Sequence, residues 1–522
     1  MKNKSNFLIL SSFLGGLLFS YLFWAEKLAL NLFIYSLYLI TITYLNKDIA
    51  KSAKFKIYAL AHILAALLVV VNNSDLTICS YYISLLLFVG FSHYQQIRTV
   101  FTAILASILQ LITIPFNFIQ SLTTVAIGRF NLRPVLKLIK YIFIPVFIVS
   151  LFTIFYSAAN DIFAHYAESI LINLSECFKT LFSFFFKDLT FERFVHLCVG
   201  TVLTGGLLFT FFDKHLENTE AKCNEKLIRT RRKTGQTTLW REIIQTFSGN
   251  LLNKKLALKT EYITSIISFI ALNILLLTVN LIDIATLWFG YKPSGNFSAD
   301  LHEGTNALIL SIIMAMIVIL YFFRGNLNFY SKSKTLKTLA YIWMVQNFIL
   351  ILSVFIRDGY YIEYYGLTHK RIGVLVFAML CIIGLITVYI KVSRQKTFFY
   401  LAKINGQLWF ALLLTFSTIN WDIFIVKYNI DHANTVAIDP DYLLSLSDKT
   451  LPFLDKNRTR FIHPPAAQKI APPSALVTPE VDLQKRLDQR ITHFAERYKR
   501  TTWLSWNLPD WNSAAYFGIN KL

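Results

Sequence analysis

The chain has 522 residues, 55% hydrophobic and 16% charged, and its mean hydropathy of +0.51 implies more apolar surface than one water-soluble core can bury. The net charge of +21 would suit a nucleic-acid ligand in a soluble protein. Here Lys and Arg collect in links between apolar runs, the pattern that orients membrane segments, so nucleic-acid binding is set aside and the lipid bilayer is the expected partner.

Backbone groups in hydrocarbon must be satisfied internally, and a spanning helix needs roughly 20 apolar residues. The runs are of that length without period-two alternation, so an all-α transmembrane bundle is predicted. Met1-Lys-Asn-Lys4 ahead of Phe7–Trp24 resembles a signal peptide, but no small-x-small cleavage site follows, and an uncleaved first span is expected. Further runs are Leu28–Leu45, Ile57–Val71, Cys79–Phe91, Phe101–Ile127, Ile139–Ala158, Phe194–Phe212, Tyr262–Phe289, Ala307–Phe323, Leu339–Ile356, Ile372–Ile390 and Leu408–Val426. The basic clusters at Lys2/Lys4, Lys47–Lys56, Lys214–Lys259, Arg324–Lys337 and Lys391–Lys403 can all face the cytoplasm if Phe101–Ile127, with Pro115 at its centre, does not cross. That gives about eleven spans, a cytoplasmic N-terminus and an extracytoplasmic C-terminus. The amphipathic stretch Ile162–Phe186 is expected on the outer surface, and if both ambiguous segments cross, the count becomes thirteen.

Composition divides the chain into an N-terminal transmembrane region (1–212), a basic cytoplasmic loop (213–260) containing Arg229-Thr-Arg-Arg-Lys233, a second transmembrane region (261–426) and a small, mainly helical extramembrane domain (427–522). That last domain begins with Asp439-Pro-Asp-Tyr442, a capped helix start. A Pro-rich connector follows (Pro464, Pro465, Pro472, Pro473, Pro479). Then Leu483, Leu487, Ile491, Phe494 and Tyr498 recur at helical spacing as one apolar stripe. Trp503, Trp506 and Trp511 come next, and suit either a membrane interface or a small core.

The common catalytic motifs are absent. Five scattered cysteines, Cys79, Cys177, Cys198, Cys223 and Cys381, have neither CxxC nor zinc spacing, so no metal or cofactor is expected. What remains are polar groups inside apolar runs: Asn273, Asn280, Asp283, Gln346 and Asn347, with Asn420 and Asp422 closing the last run. Asp283 and Asp422 fall near predicted outer ends, where capping or interfacial roles are favoured over proton relay, and the amides read as interhelical glue. His62 and His196 are expected to pack between helices. The densest polar segment is an outer loop, Arg357–Arg371, holding Asp358, Tyr361, Glu363, Tyr364 and Thr368. It suits either an anionic or sugar-like ligand or a structural network, and Arg357 is expected to join the last spans to the C-terminal domain.

Arg357, Tyr361-Ile362, Gly366-Leu-Thr368 and Lys370-Arg-Ile-Gly-Val374 resemble the R…YI…YGLT…R signature of a bacterial multi-pass membrane family defined only as a domain of unknown function. Asn420-Trp-Asp422, Ile425–Asn429 with Tyr428 and Asn429, and Asp441–Ser447 resemble that family's N-W-D, I-x-x-Y-N and D-Y-L-L-x-L-S elements, with Lys427 standing where many relatives have Arg. Trp343, Gln346 and Asn347 resemble its W-x-x-Q-N element. The resemblance covers Tyr321–Leu454, whereas the N-terminal half matches only in being hydrophobic. It implies a protein of the bacterial cytoplasmic membrane and supplies no reaction, ligand or cofactor. A non-catalytic envelope scaffold or sensor, with a protein partner or small ligand still to be identified, is the leading expectation. A transporter using the amides, and an enzyme acting on a lipid-linked substrate through Asp422, Glu363 or Asp358, are the alternatives.

Overall fold

The computed structural model describes residues 2–47, 49–94, 96–122, 133–185, 190–209, 214–228, 258–289, 297–323, 326–436, 438–462 and 480–519. The Arg229–Lys233 cluster, the Pro-rich connector and residues 123–127 lie outside them. In chain order the helices are α1 (Lys2–Phe23), α2 (Leu30–Leu45), α3 (Ala53–Asn72), α4 (Asp75–His93), α5 (Val100–Leu122), α6 (Arg133–Ala159) and α7 (Asp161–Phe185). Then come α8 (Phe191–Leu208), α9 (Lys214–Ala221), α10 (Leu258–Asp283, prolonged by a π turn, Ile284–Trp288), α11 (Phe297–Phe322), α12 (Ser333–Tyr365), α13 (His369–Ser393) and α14 (Phe398–Ser417). The last are α15 (Trp421–Asp431), α16 (Pro440–Ser445), α17 (Leu451–Lys456), α18 (Arg458–Ile462), α19 (Glu480–Arg500) and α20 (Leu508–Tyr516). Apart from an isolated bridge between Lys226 and Lys396, the described residues contain no β pairing. The protein is an all-α helical bundle.

Among the described residues the apolar runs read from the sequence are helical, Leu408–Val426 being divided between α14 and α15. Six helices among the described residues are long and apolar enough to cross a membrane, or seven if α14 and α15, bent by 60°, form one span. The expected eleven is higher. The difference lies in the runs Phe7–Trp24, Leu28–Leu45, Ile139–Ala158 and Ala307–Phe323, for which the apolar helix among the described residues is Phe7–Phe23, Leu30–Leu45, Ile148–Ala159 and Leu308–Phe322, each of 10–17 residues. The helices leave large apolar side chains such as Ile57, Leu60, Ile274 and Leu281 exposed, a surface that needs lipid. α5 is continuous through Pro115. α6 and α7 turn at Asn160, whose side chain accepts from the Ile162 and Phe163 N–H groups and caps α7.

Two compact units emerge. The first comprises 1–220, 413–418 and 495–522, and the second 221–412 and 419–494. Of residues 427–522, 427–494 fall in the second unit and 495–522 in the first.

In the first unit, α1 and α8 run antiparallel and meet through glycines. A Cβ on Gly16 would stand 2.8 Å from the Thr201 Cα, and one on Gly200 would strike the Phe19 ring. Small residues are what lets helices pack this closely in lipid. Gly16→Leu is therefore expected to cost at least about 1–3 kcal/mol by overpacking, whereas Gly359→Ala, with nothing within 4 Å of the added Cβ, should gain up to about 1 kcal/mol of helix stability. Unfolding titrations in mixed micelles distinguish the two, and equal effects would contradict the close crossing. His62 bonds Ser84 at 2.8 Å, and His196 stacks on Phe19 at 4.9 Å. Near the chain end, Leu504 enters the core formed by Leu22, Leu32, Phe55 and Phe88. Ser505 Oγ accepts from Lys27 N at 2.8 Å, and Trp506 O accepts from Leu30 N at 3.2 Å. Trp503 and Trp511 are exposed.

In the second unit, Phe269, Ile319, Phe323, Leu336, Trp343, Ile351, Val354 and Val392 form the core among α10 to α13. The α19 stripe is realised, with Leu483, Leu487 and Phe494 buried, worth roughly 1.5–3 kcal/mol each.

Candidate functional site at the end of α12

The site grows out of one helix pair. On α10, Asn273, Asn280 and Leu287 are seven residues apart; on α12, so are Leu339, Gln346, Ser353 and Tyr360. Asn273 Nδ2 donates to Phe269 O (2.7 Å) and Leu339 O (3.1 Å), and Gln346 Nε2 donates to Asn273 Oδ1 (3.2 Å). Asn280 Nδ2 donates to Gln346 O (3.0 Å), Trp288 Nε1 to Ser353 Oγ (3.0 Å) and the Tyr360 hydroxyl to Leu287 O (3.4 Å). Contacts that advance by seven on both partners are the signature of parallel helices crossing at about 20°. Asn347 donates within its own helix to Trp343 O at 2.8 Å. At the end of this ladder Arg357 Nη2 meets Asp283 Oδ1 at 2.5 Å, with the carboxylate side chain only 6% exposed.

α12 then continues for two more turns. The segment expected as a loop from Arg357 is helical to Tyr365, and only Gly366–Thr368 separate it from α13. Gly366 stops the helix at φ 76° and ψ −176°, a region essentially restricted to glycine. Thr368 starts α13 by accepting from Arg371 N at 3.4 Å. Arg371 closes the turn: it donates to Tyr365 O at 2.8 Å and to Gly366 O, and its guanidinium lies 4.1 Å from the Tyr361 ring centroid. Asn429 of α15 grips the same turn, accepting from Leu367 N at 2.6 Å and donating to Leu367 O at 2.9 Å.

The second node is Asp422. His369 Nε2 lies 2.7 Å from its Oδ1, while Lys449 Nζ at 3.1 Å and the Ser447 hydroxyl engage Oδ2. The Lys449 side chain is 3% exposed, and this carboxylate supplies it with a counter-charge away from water. The Tyr442 hydroxyl accepts from His369 N at 2.9 Å, and burial raises its phenol above the ordinary pKa. α19 clasps the segment from outside: Arg490 donates to Leu446 O at 2.8 Å and pairs with Asp448 at 2.5 Å, and Arg486 pairs with Asp441 at 2.5 Å.

These elements enclose a cavity of about 850 Å³ whose walls include Arg357, Asp358, Tyr361, Arg371, Asn429 and Tyr442. Asp358 is buried, and its Oδ2, like the Nε atoms of Arg357 and Arg371, has no hydrogen-bond partner among the described residues. Among the described residues no three His, Cys, Asp or Glu side chains gather as a metal site.

Of the residues singled out from sequence, Arg357, Asp358, Tyr361, Thr368, Arg371 and Asn429 share this cavity. Asp422 stands beside it in its own network. Glu363 is exposed, Tyr364 packs beside Tyr361, Tyr428 stacks on His432 at 4.3 Å, and Asn420 caps α15. Asn273, Asn280, Asp283, Gln346 and Asn347 belong to the ladder and its end. Arg357 joins α12 to α10, and the C-terminal segment is held by Asp422 and Arg490 instead. Sequence reasoning missed His369, Lys449, Ser353 and Trp288. The seven-residue spacing from Gln346 pointed to Ser353, but no local signal marked Lys449.

No curated protein and no solved structure matches the chain. The family model described as Domain of unknown function (DUF4153) matches residues 58–457, which extends the family well into the first half, beyond the motifs themselves. Covering most of the sequence and every element of this site except α19, that match makes the chain a member of the DUF4153 family.

Proposed function

We propose that this membrane protein is a non-catalytic scaffold or sensor of the bacterial cytoplasmic membrane, in which the segment after α15 is clamped onto the α12–α13 turn. The observation that carries this reading is the Asp422 node, where one carboxylate ties α15, the first residue of α13 and the Ser447–Lys449 segment together. Both of its oxygens are engaged, which argues against service as a catalytic acid or base. The amides Asn273, Asn280 and Gln346 are spent in one helix contact, which favours a scaffold over a solute path.

The N-terminus is assigned to the cytoplasm and the C-terminal segment to the outer side. Within the first unit, the Lys-rich α2–α3 link meets the α4–α5 link through Lys54 and Ile97 O at 2.8 Å. The α1–α2 link meets Asn73 at 2.9 Å and Ser505 at 2.8 Å, so Ser505 sits at the end opposite the basic cluster, as the positive-inside rule requires.

Limited proteolysis of native membranes tests the clamp. Asp422→Ala removes the carboxylate that His369, Ser447 and Lys449 share, and cleavage within 440–456 should quicken at least about tenfold, because it follows the opened population. An unchanged rate overturns the scaffold reading, and solute uptake by reconstituted vesicles would move the assignment to a transporter.

A further inference from the structure

We infer that the cavity at the α12–α13 turn binds a phosphate ester whose other end donates hydrogen bonds through a hydroxyl or an ammonium group. The inference rests on the sensor half of the reading above and gives that sensor its ligand class. Three features carry it.

The first is size: about 850 Å³ lies within the range of small-ligand sites, about 300–1,000 Å³. The second is an unmet demand of both signs. Asp358 is 6% exposed, and among the described residues its Oδ2 and the buried Nε–H groups of Arg357 and Arg371 have no hydrogen-bond partner. Buried polar atoms seldom stay unsatisfied, and a ligand presenting acceptor oxygens and a donor a few ångströms apart meets all three. The third is charge. Arg357 is matched by Asp283, and the walls also carry Lys370, Arg371, Asp358 and Asp439, so that Lys370 and Arg371, at the N-terminal turn of the 25-residue α13, attract an anionic group, while the two carboxylates repel a bare anion and reward a donor. Tyr442 bridges the cavity wall to the segment after α15 through its bond to His369 N. A ligand here therefore touches the membrane helices and the clamped segment together, which is the differential contact a sensor needs.

Such an ester exists free in solution and as a lipid headgroup. The test uses the full chain in nanodiscs and reads thermal unfolding by tryptophan fluorescence. In phosphatidylcholine, whose headgroup has no O–H or N–H donor, glycerol 3-phosphate or phosphoethanolamine should raise the melting temperature more than inorganic phosphate, or glycerol, at matched ionic strength. That result assigns a soluble ligand. A higher melting temperature in phosphatidylglycerol or phosphatidylethanolamine than in phosphatidylcholine, without response to the free probes, assigns the headgroup. In either case Lys370→Gln and Asp358→Asn should each weaken the apparent affinity about tenfold, Asp358→Asn also narrowing the gap to inorganic phosphate. No response to any probe or lipid, an equal response to inorganic phosphate, or a response undiminished in both variants overturns the inference. Proteolysis of the 440–456 segment in the same nanodiscs reports the clamp separately, so a resistant segment with no ligand response removes the ligand and leaves the scaffold standing.

Discussion

Replacing Arg357 with alanine is expected to destabilise the second unit by about 3–5 kcal/mol, the usual result of stranding one member of a buried ion pair. The Asp283 carboxylate, with its side chain 6% exposed, would lose the guanidinium that compensates for its removal from water. The effect should exceed that of the amides. Gln346→Leu removes a donor to Asn273 Oδ1, and interhelical hydrogen bonds in bilayers average about 0.6 kcal/mol and rarely exceed 2 kcal/mol. The ladder thus sets the register of α10 on α12, while the ion pair at its end decides whether the pair holds together. If so, Asp283→Leu combined with Arg357→Met should recover most of the loss, because apolar replacement of a whole buried pair is often neutral or better. The check is the unfolding midpoint in a denaturing-detergent titration of purified protein. A double variant no more stable than Arg357→Ala would sink the ion-pair account.

The same residue shows where sequence reading reaches and where it stops. Apolar run length located each of the six helices among the described residues that are long and apolar enough to cross a membrane, because hydrocarbon thickness acts on consecutive residues, and the stripe from Leu483 to Tyr498 was readable because one helix face faces one neighbour. Hydropathy ended α12 near Ile356, yet the backbone stays helical through Tyr365. Polar side chains do not break a helix, and the real stop signal is the backbone of Gly366. The partner of Arg357 is 74 residues away on a separate helix, and that of Asp422 lies at Lys449, so neither pairing leaves a local trace. The division of the C-terminal residues between two units was hidden for a related reason. Composition distinguishes polar from apolar stretches, but not which core Leu504 or Leu487 enters. The family motifs, in contrast, marked the α12–α13 turn, Asn429 and Tyr442 without revealing that they line one cavity.

Gly366→Ala should be among the most damaging small substitutions in the protein, and the reason separates backbone from side-chain effects. At φ 76° and ψ −176° an L-residue is strained by about 1–3 kcal/mol. In addition, a Cβ there would collide with Asn429 Oδ1 and crowd Val436. Pushing the Asn429 amide aside would leave Leu367 N–H and C=O, both buried, without the partners they have at 2.6 and 2.9 Å, a further loss of about 1–3 kcal/mol for each group left unsatisfied. Asn429→Ala removes the same partners without the strain and should cost less than Gly366→Ala. The two changes should also be strongly non-additive, since the alanine methyl of the first occupies space that the second vacates and the Leu367 bonds can be lost only once. A double-mutant cycle on thermal unfolding in detergent should therefore show the Gly366→Ala, Asn429→Ala protein close in stability to Gly366→Ala alone. Additive losses would mean that the glycine is required only for its own backbone conformation, and that Asn429 holds the α12–α13 turn independently of how α12 ends.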